Sequence, residues 1–596
     1  MTTIQRNSKP APPAPMPSPP EVTRYVGTLV GESTSQEFRL AVAQEAIREQ
    51  DIIAVDAELR KPSEDGSNTP EQIRIWAKVQ RIERINPLFP IEAGHELAAT
   101  RTNPFDTVLS MSREMVTALC QVLGSEPIRG SAGGRLDHLR YPAQPATSAY
   151  RPNSDDIARV VLGDLAQQKN RALDIAILSN RPEVNVMVDG HAVVSRHLAI
   201  LAMTGAGKSW TARRIIEELA QKNYPIVIFD PHGDYTGLAD VPALKGRVER
   251  YYAQFPIFEE DAEDVARIVD SLGYSLTDTM RTMFSDVFAI ATRFIVDDRK
   301  EMQSRADWLK DITGKQAIEQ YGLAKNLWLV GYLAEAGELI LREQQTDSDL
   351  VQNMLDYGWP GFDKYNRKNA VTLEGIKKRV YRAAAALRRM ETTNKKIART
   401  AQPLPTDRAK LVQYGKISVI ALSGYTGDFQ ATIYSIIAED IFEARVRDDL
   451  KLPILLLLEE AHNFAPGRAT TTAEQRAITI TKQIAQEGRK FGVGLVMISQ
   501  RPSRLDETTL SQCNSYIIMR LVNPADQNFV RKVIESLGED DARMLPDLDV
   551  GEALLSGQFI NFPVLVRMKA PESQGEREET DAFSALEKAY AELKKG

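Results

Sequence analysis

The stretch LAILAMTGAGKS, residues 198–209, holds residue types and a spacing that suit phosphate chemistry. Thr204, Gly205, Ala206, Gly207, Lys208, Ser209 and the following Trp210 match a loop that wraps phosphate oxygens. Small residues let backbone N–H groups turn inward around the anion. The lysine then reaches the terminal phosphates and the serine hydroxyl coordinates magnesium, so ATP and Mg2+ are the expected ligands. The first position of the pattern is ordinarily glycine and here is Ala202. Alanine is small enough that closure of the loop is still expected.

A second group of chemically apt residues lies in ILLLLEEAHNFAP, residues 454–466. Its leucine run reads as a strand buried in a parallel sheet, and two carboxylates follow at the end where such sheets place ligands. Glu459 is expected in the magnesium shell, through water. Glu460 is expected to orient and polarise the attacking water. Asp230, at the end of YPIVIFD, is a third strand-end carboxylate; it serves either the water and metal shell or a turn within DPHGD. Asp234 is less favoured. Gln500, at the tip of the apolar strand ending in Ser499, suits sensing of the terminal phosphate. Arg489, Arg501 and Arg504 cluster nearby, and phosphoryl transfer gains from a cation on its transition state. Arg489, supplied by a neighbouring subunit, is the first choice; ordinary surface arginine is the equal alternative. Arg196 and Arg520 are weaker candidates.

These residues need an α/β scaffold. His197–Leu201 is a short apolar strand, and residues 210–221 carry helical spacing through Thr211, Ile215, Ile216 and Leu219. That strand, loop and helix order presents a helix N-terminus to phosphate. Further strands are expected at 224–229, 416–422, 453–458, 493–499 and 515–520. Residues 146–254 and 401–560 form the two parts of this core, and 255–400 a helical insertion. Upstream, 23–145 holds a small antiparallel barrel and a connector. Val26, Thr28 and Val30 alternate, as do Phe38, Leu40 and Val42, and Ile73, Ile75, Ala77 and Val79. Residues 1–22 are proline-rich and read as a solvated, extended tail. Residues 561–596 give a strand and a helix with Phe583, Leu586, Tyr590 and Leu593 on one face, packed on its own domain or clasping a neighbour. The fold class is α/β: a RecA-like P-loop core with an N-terminal β-barrel and a helical insertion.

The bulk composition sets limits. A net charge of −7 over 596 residues excludes a globally basic nucleic-acid binder, so any DNA contact falls to a local patch or an assembled channel. The segment 377–399 is the most basic, and reads as a solvated helix more readily than as a DNA contact. Thr470–Thr472 is a candidate pore loop or an ordinary turn. The two cysteines, Cys120 and Cys513, give no disulfide framework or zinc spacing. The sequence shows neither a signal-peptide layout nor a membrane-length apolar run, so a soluble, cytoplasmic protein without membrane contact is expected.

In this order, MTGAGKS, FDPHGDY, LEEAHNF, EGRKFGVG and SQRPSRLDETTLSQCN resemble the HerA family of hexameric DNA translocases and helicases, relatives of FtsK. The resemblance covers most of the chain, including the N-terminal barrel. It implies a homohexameric ring, double-stranded DNA in the central pore, and a docked partner nuclease of the NurA type. Some relatives act beside a defence effector such as a sirtuin-like NADase. By motif, the resemblance gives nucleotide and magnesium to Lys208 and Ser209, makes Glu460 catalytic, and puts Asp230, Gln500 and Arg489 around the phosphates. Departures are Ala202 for glycine and Glu459 where aspartate is common. Two other readings stay open: a type IV secretion or conjugation ATPase, and a scaffold whose ATP site governs assembly with an effector.

Overall fold

The computed structural model describes residues 24–43, 46–62, 68–85, 115–128, 136–253, 260–296, 324–342, 364–397, 401–573 and 582–593, apart from isolated positions. The proline-rich tail and much of the connector after the barrel lie outside the described residues. The chain divides into two compact units, residues 1–167 with 180–184, and 168–179 with 185–596.

The first unit is a closed barrel. Its strands are β1 (Tyr25–Ser33), β2 (Glu37–Val42), β3 (Ile52–Pro62), β4 (Asn68–Ile85), β5 (Met115–Pro127) and β6 (Ser148–Tyr150), in the order β1-β2-β5-β4-β3-β6. Closure removes the unpaired strand edges that an open sheet would expose. Alternation sends Ile73, Ile75, Ala77 and Val79 of β4 into the barrel core with Phe38 and Leu40 of β2. In β1 the period-two reading needs correction. Val26 and Leu29 are buried while Val30 is exposed. The pairing of β1 with β6 shifts register between Tyr25 and Gly27, which rotates the rest of the strand onto its other face. The barrel also closes on Ser148–Tyr150, beyond the boundary at 145 drawn from sequence.

The second unit is organised by one 12-stranded sheet. Its remaining strands are β7 (Ala172–Leu178), β8 (Arg181–Asp189), β9 (Leu198–Leu201), β10 (Ile226–Asp230), β11 (Val248–Tyr252), β12 (Gln402–Pro403), β13 (Ile417–Ala421), β14 (Ile454–Leu458), β15 (Val493–Ser499), β16 (Ser515–Met519), β17 (Glu552–Gly557) and β18 (Val564–Met568). The order is β12-β11-β13-β10-β14-β15-β9-β16-β17-β18-β7-β8. From β12 to β16 all pairs are parallel; from β16 through β17 and β18 to β7 they are antiparallel. Every residue of β9, β10, β13, β14, β15 and β16 is buried. Burial on both faces explains why these strands read as continuous apolar runs and not as alternation.

Helices α1 (Lys208–Gln221), α6 (Gly427–Val446) and α7 (Thr472–Phe491) belong to this core. Between β11 and β12 the chain leaves the sheet for α2 (Ala262–Ser271), α3 (Asp278–Val296), α4 (Ala324–Leu341) and α5 (Ala370–Ile397). These four share an apolar cluster that includes Val265, Phe284, Leu333, Leu373 and Val380. In the basic stretch on α5, Lys377 pairs with Glu338 at 2.6 Å and Lys378 with Glu374 of the preceding turn. The first pair ties α5 to α4 and the second lies along the exposed side of α5. Both cysteines are free and buried, and burial pushes the Cys120 thiol up to about 12 and the Cys513 thiol higher still, so neither is primed for reaction. No helix among the described residues is long and apolar enough to cross a membrane.

Candidate active site

The loop between β9 and α1 closes by backbone geometry. Gly205 and Gly207 take φ values of +80° and +105°, a region that a side chain would strain. Ala202 is fully buried, lies outside the left-handed region, and donates its N–H to the Ser499 carbonyl at 3.2 Å. The first position of the loop therefore imposes no glycine-only conformation here, and alanine fits. The loop is further pinned by Met203 N–H to the Arg520 carbonyl at 2.9 Å and by Gly551 N–H to the Ala206 carbonyl at 3.0 Å. Helix α1 begins at Lys208 with no side-chain cap, which leaves its N-terminal dipole for an anion.

A cavity of about 640 Å³ opens over this loop, with Thr204, Gly205, Gly207, Lys208, Ser209, Trp210 and Gln500 in its lining. The Lys208 ammonium is buried and donates to both strand-end carboxylates, Glu459 and, at 2.9 Å, Glu460. The second Glu459 oxygen accepts the hydroxyl of Tyr235, which is itself fully buried. The Gln500 amide donates to Glu460 and its oxygen accepts the Thr204 hydroxyl. Strand β15 lies between β9 and β14, which is why its tip bridges the loop and the carboxylates. Glu460 adopts φ +52°, a backbone state costing a non-glycine residue about 1 kcal/mol, held here by bonds on its side chain.

One ammonium faces two buried carboxylates, so they titrate apart. Burial pushes Glu459 up to about 7 against the pull of Lys208. Burial also opposes ionisation of Glu460, but His462, Lys208 and Gln500 together hold it down at about 2. Lys208 is raised: burial disfavours its charge, and the two glutamates outweigh that cost. An ionised Glu460 beside the phosphate cavity is suited to orienting water.

The loop after β10 separates its two aspartates. Asp230 is buried and its oxygens accept four backbone amides: those of His232 (3.3 Å), Gly233 (2.8 Å), Asp234 (3.1 Å) and Tyr235 (3.3 Å). That is the turn-forming alternative for DPHGD. It presents Asp234 to the cavity, where Asp234 accepts the Ser209 hydroxyl at 3.0 Å. Ser209 and Asp234 are hard oxygen donors that fit magnesium, which needs only one or two protein groups when phosphates complete its shell. No cluster of three or more His, Cys, Asp or Glu side chains that could hold a metal ion exists among the described residues. Glu459, committed to Lys208 and Tyr235, stands behind that position.

The arginines are dispersed. Arg489 is exposed near the end of α7, at the end of the sheet where the central strand β15 begins. The phosphate loop sits where the strands end, about 20 Å away along a seven-residue strand. No side chain spans that, so Arg489 does not serve the site of its own chain. Arg504 lines a second concavity of about 650 Å³ together with His462 and Arg468. Arg501 is exposed. Arg196 lies ahead of β9 and bonds Gln558, whereas Arg520 sits beside the loop with its guanidinium on the Pro546 carbonyl. Thr471 caps α7 by accepting the Glu474 amide, and Thr470 also bonds Glu474. Sequence reasoning missed Tyr235, passed over Asp234, and missed the cavity wall formed by Val550, Gly551 and the segment 567–570. The second aspartate of FDPHGDY was the one available signal.

A sheet whose central strands are parallel, a phosphate loop opening a helix, and carboxylates on a strand once removed from the loop strand define a RecA-like P-loop ATPase. Residues 173–441 match the model of the central domain of helicase HerA. The chain is 30% identical over 443 residues to a probable helicase of Methanocaldococcus jannaschii, covering 73% of each. It is 29% identical over 538 residues to the DNA double-strand break repair helicase HerA of Pyrococcus furiosus, covering 83% of this chain and 85% of that one. Among solved structures, the plasmid coupling protein TrwB is similar at 14% identity and a TM-score of 0.39, over 69% of this chain and 93% of that one. The chain belongs to the HerA helicase family, and it is an ATP-hydrolysing enzyme.

Proposed function

We propose that this chain is an ATP-driven translocase or helicase on double-stranded DNA, working as a homohexameric ring with a partner nuclease of the NurA type or a defence effector. Family membership supports action on DNA, since relatives carry the name of DNA double-strand break repair helicases. The observation that carries the reading is the network Lys208–Glu460–Gln500–Thr204. It links the phosphate loop, the water-orienting carboxylate and the tip of the intervening strand, so the presence of a terminal phosphate changes all three at once. Lys208 leaves its two glutamates for the phosphates, Ser209 and Asp234 hold the magnesium, and Glu459 supports that shell. Glu460 orients water, and Gln500 registers the terminal phosphate. Arg489, remote from its own loop, acts on the nucleotide of the next subunit and makes the ring cooperative.

The test is ATP turnover with and without duplex DNA, joined to mixing of Lys208→Ala and Arg489→Ala chains. Each variant alone is expected inactive. The mixture should regain part of the DNA-stimulated rate, because some interfaces then carry both intact residues. No regain would remove Arg489 from the shared site. Slow turnover indifferent to DNA would favour the assembly-scaffold reading.

A further inference from the structure

Lys208 reaches the phosphates only by giving up two buried carboxylates, and it does not leave the two alike. Glu460 keeps the Gln500 amide on one oxygen, and His462 lies 3.3 Å from the other. Glu459 is fully buried, and among the described residues its side chain has two partners, Lys208 and the hydroxyl of Tyr235. Once the ammonium departs, Tyr235 is the partner that remains. A buried carboxylate without any donor carries a desolvation cost that solvent cannot relieve.

Tyr235 is fixed for this task from the backbone outward. Strand β10 neighbours β14, and the Glu459 amide donates to the Phe229 carbonyl at 3.2 Å, so the turn that leaves β10 lies beside Glu459. Within that turn the Tyr235 amide donates to Asp230 at 3.3 Å, and the Tyr235 carbonyl accepts the Leu238 amide at 3.3 Å. The ring is fully buried and lines no part of the phosphate cavity. Its neighbour Asp234 faces that cavity and bonds Ser209, whereas the Tyr235 hydroxyl meets the carboxylate from behind. A phenol is protonated near neutral pH, so toward a carboxylate it acts as a donor.

We propose that Tyr235 is the positioning residue that frees Lys208 for the nucleotide: its hydroxyl holds Glu459 as the ammonium departs, and so limits how strongly that carboxylate competes with the phosphates for the lysine. The hydroxyl is one of two donors while Lys208 is in place and the last one afterwards. Its loss therefore penalises the phosphate-bound arrangement more than the one seen here. Without it, Glu459 retains Lys208 and the phosphate loop lacks its cation.

This inference rests on the phosphate role of Lys208, and the experiment separates the two. ATP binding is measured by calorimetry on the full chain with EDTA in place of magnesium, so that contacts made through the metal drop out. Tyr235→Phe removes a single oxygen and should raise the dissociation constant about tenfold or more. Glu459→Gln removes the competing charge and should bind ATP at least as tightly as the unaltered chain. Added to Glu459→Gln, Tyr235→Phe should change binding by less than about twofold, because the carboxylate it served is gone. A packing role for the ring would cost the same in both backgrounds. No loss in Tyr235→Phe, an equal loss in both backgrounds, or weaker binding by Glu459→Gln alone would each overturn the proposal. Lys208→Ala should weaken ATP whichever residues stand at 235 and 459. Full retention of ATP by Lys208→Ala would instead overturn the phosphate role beneath it.

Discussion

The two ends of the cavity are built on different plans. At the phosphate end, residues 204–210 are contiguous and meet side chains at the tips of β10, β14 and β15. At the opposite end, the wall comes from an antiparallel hairpin added to the sheet, tied back by bonds such as that between Glu217 and Glu572, 355 positions apart. The phosphate end depends on charged side chains in a buried network. The other end depends on backbone hydrogen bonds and a latch. The phosphate end is held by side chains that can exchange partners, whereas the far wall is held largely through its backbone.

The largest expected effect tests the responsive end. Glu460→Gln keeps the shape and loses the carboxylate proposed to orient water, so turnover should fall by about a hundredfold or more while ATP stays bound. Single-turnover hydrolysis beside nucleotide retention reads both, and fast turnover in this variant would take Glu460 out of that role. The next effect is electrostatic. Glu459 has its folded value raised from 4.5 to about 7, so the folded state binds more protons than the unfolded one. Its contribution is therefore most favourable below pH 4.5 and declines as pH rises through 7, by up to about 3 kcal/mol. The nucleotide-free protein should melt lower at pH 8 than at pH 6, and Glu459→Gln should flatten that difference. An unchanged slope in the variant would show that another group sets it.

The paired aspartates then separate scaffold from ligand binding within the phosphate end itself. Asp230→Ala strands four backbone amides and should cost about 2–4 kcal/mol in chemical denaturation. Asp234→Ala should leave stability nearly unchanged and weaken ATP only when magnesium is present. Equal effects of the two would erase the distinction. The smallest effect probes the backbone plan of the far wall. Gly551 holds φ +82° with open space where a Cβ would lie, so Gly551→Ala should cost about 1 kcal/mol from strain alone. A much larger loss would mean that the relay from Ala206 through Gly551 to Met568 had broken.

Much of the site was legible because its signals are local. The loop spacing, the apolar run before Glu459 and Glu460, and the polar tip at Gln500 each occupy a short window. Asp230 and Asp234 were both visible, but which one faces the cavity depends on where four backbone amides point, and side-chain type does not report that. In β1 the alternation of Val26, Thr28 and Val30 was real in sequence and was overruled by a register shift against β6. Val550, Gly551 and Met568 carry no chemical signature at all; they matter only through where the sheet places them.

By itself the sequence determined that the chain has a nucleotide-binding α/β core, an N-terminal barrel and a helical insertion. Periodicity, apolar runs and motif spacing follow from bonds made within a few residues. Only the tertiary structure decided that Lys208 lies between Glu459 and Glu460, that Arg489 sits at the far end of the sheet from its own loop, and that a C-terminal hairpin completes the cavity. The reason is physical: strand order in a parallel sheet is set by which buried faces pack together, and residues meet across it according to that order, not to their distance along the chain.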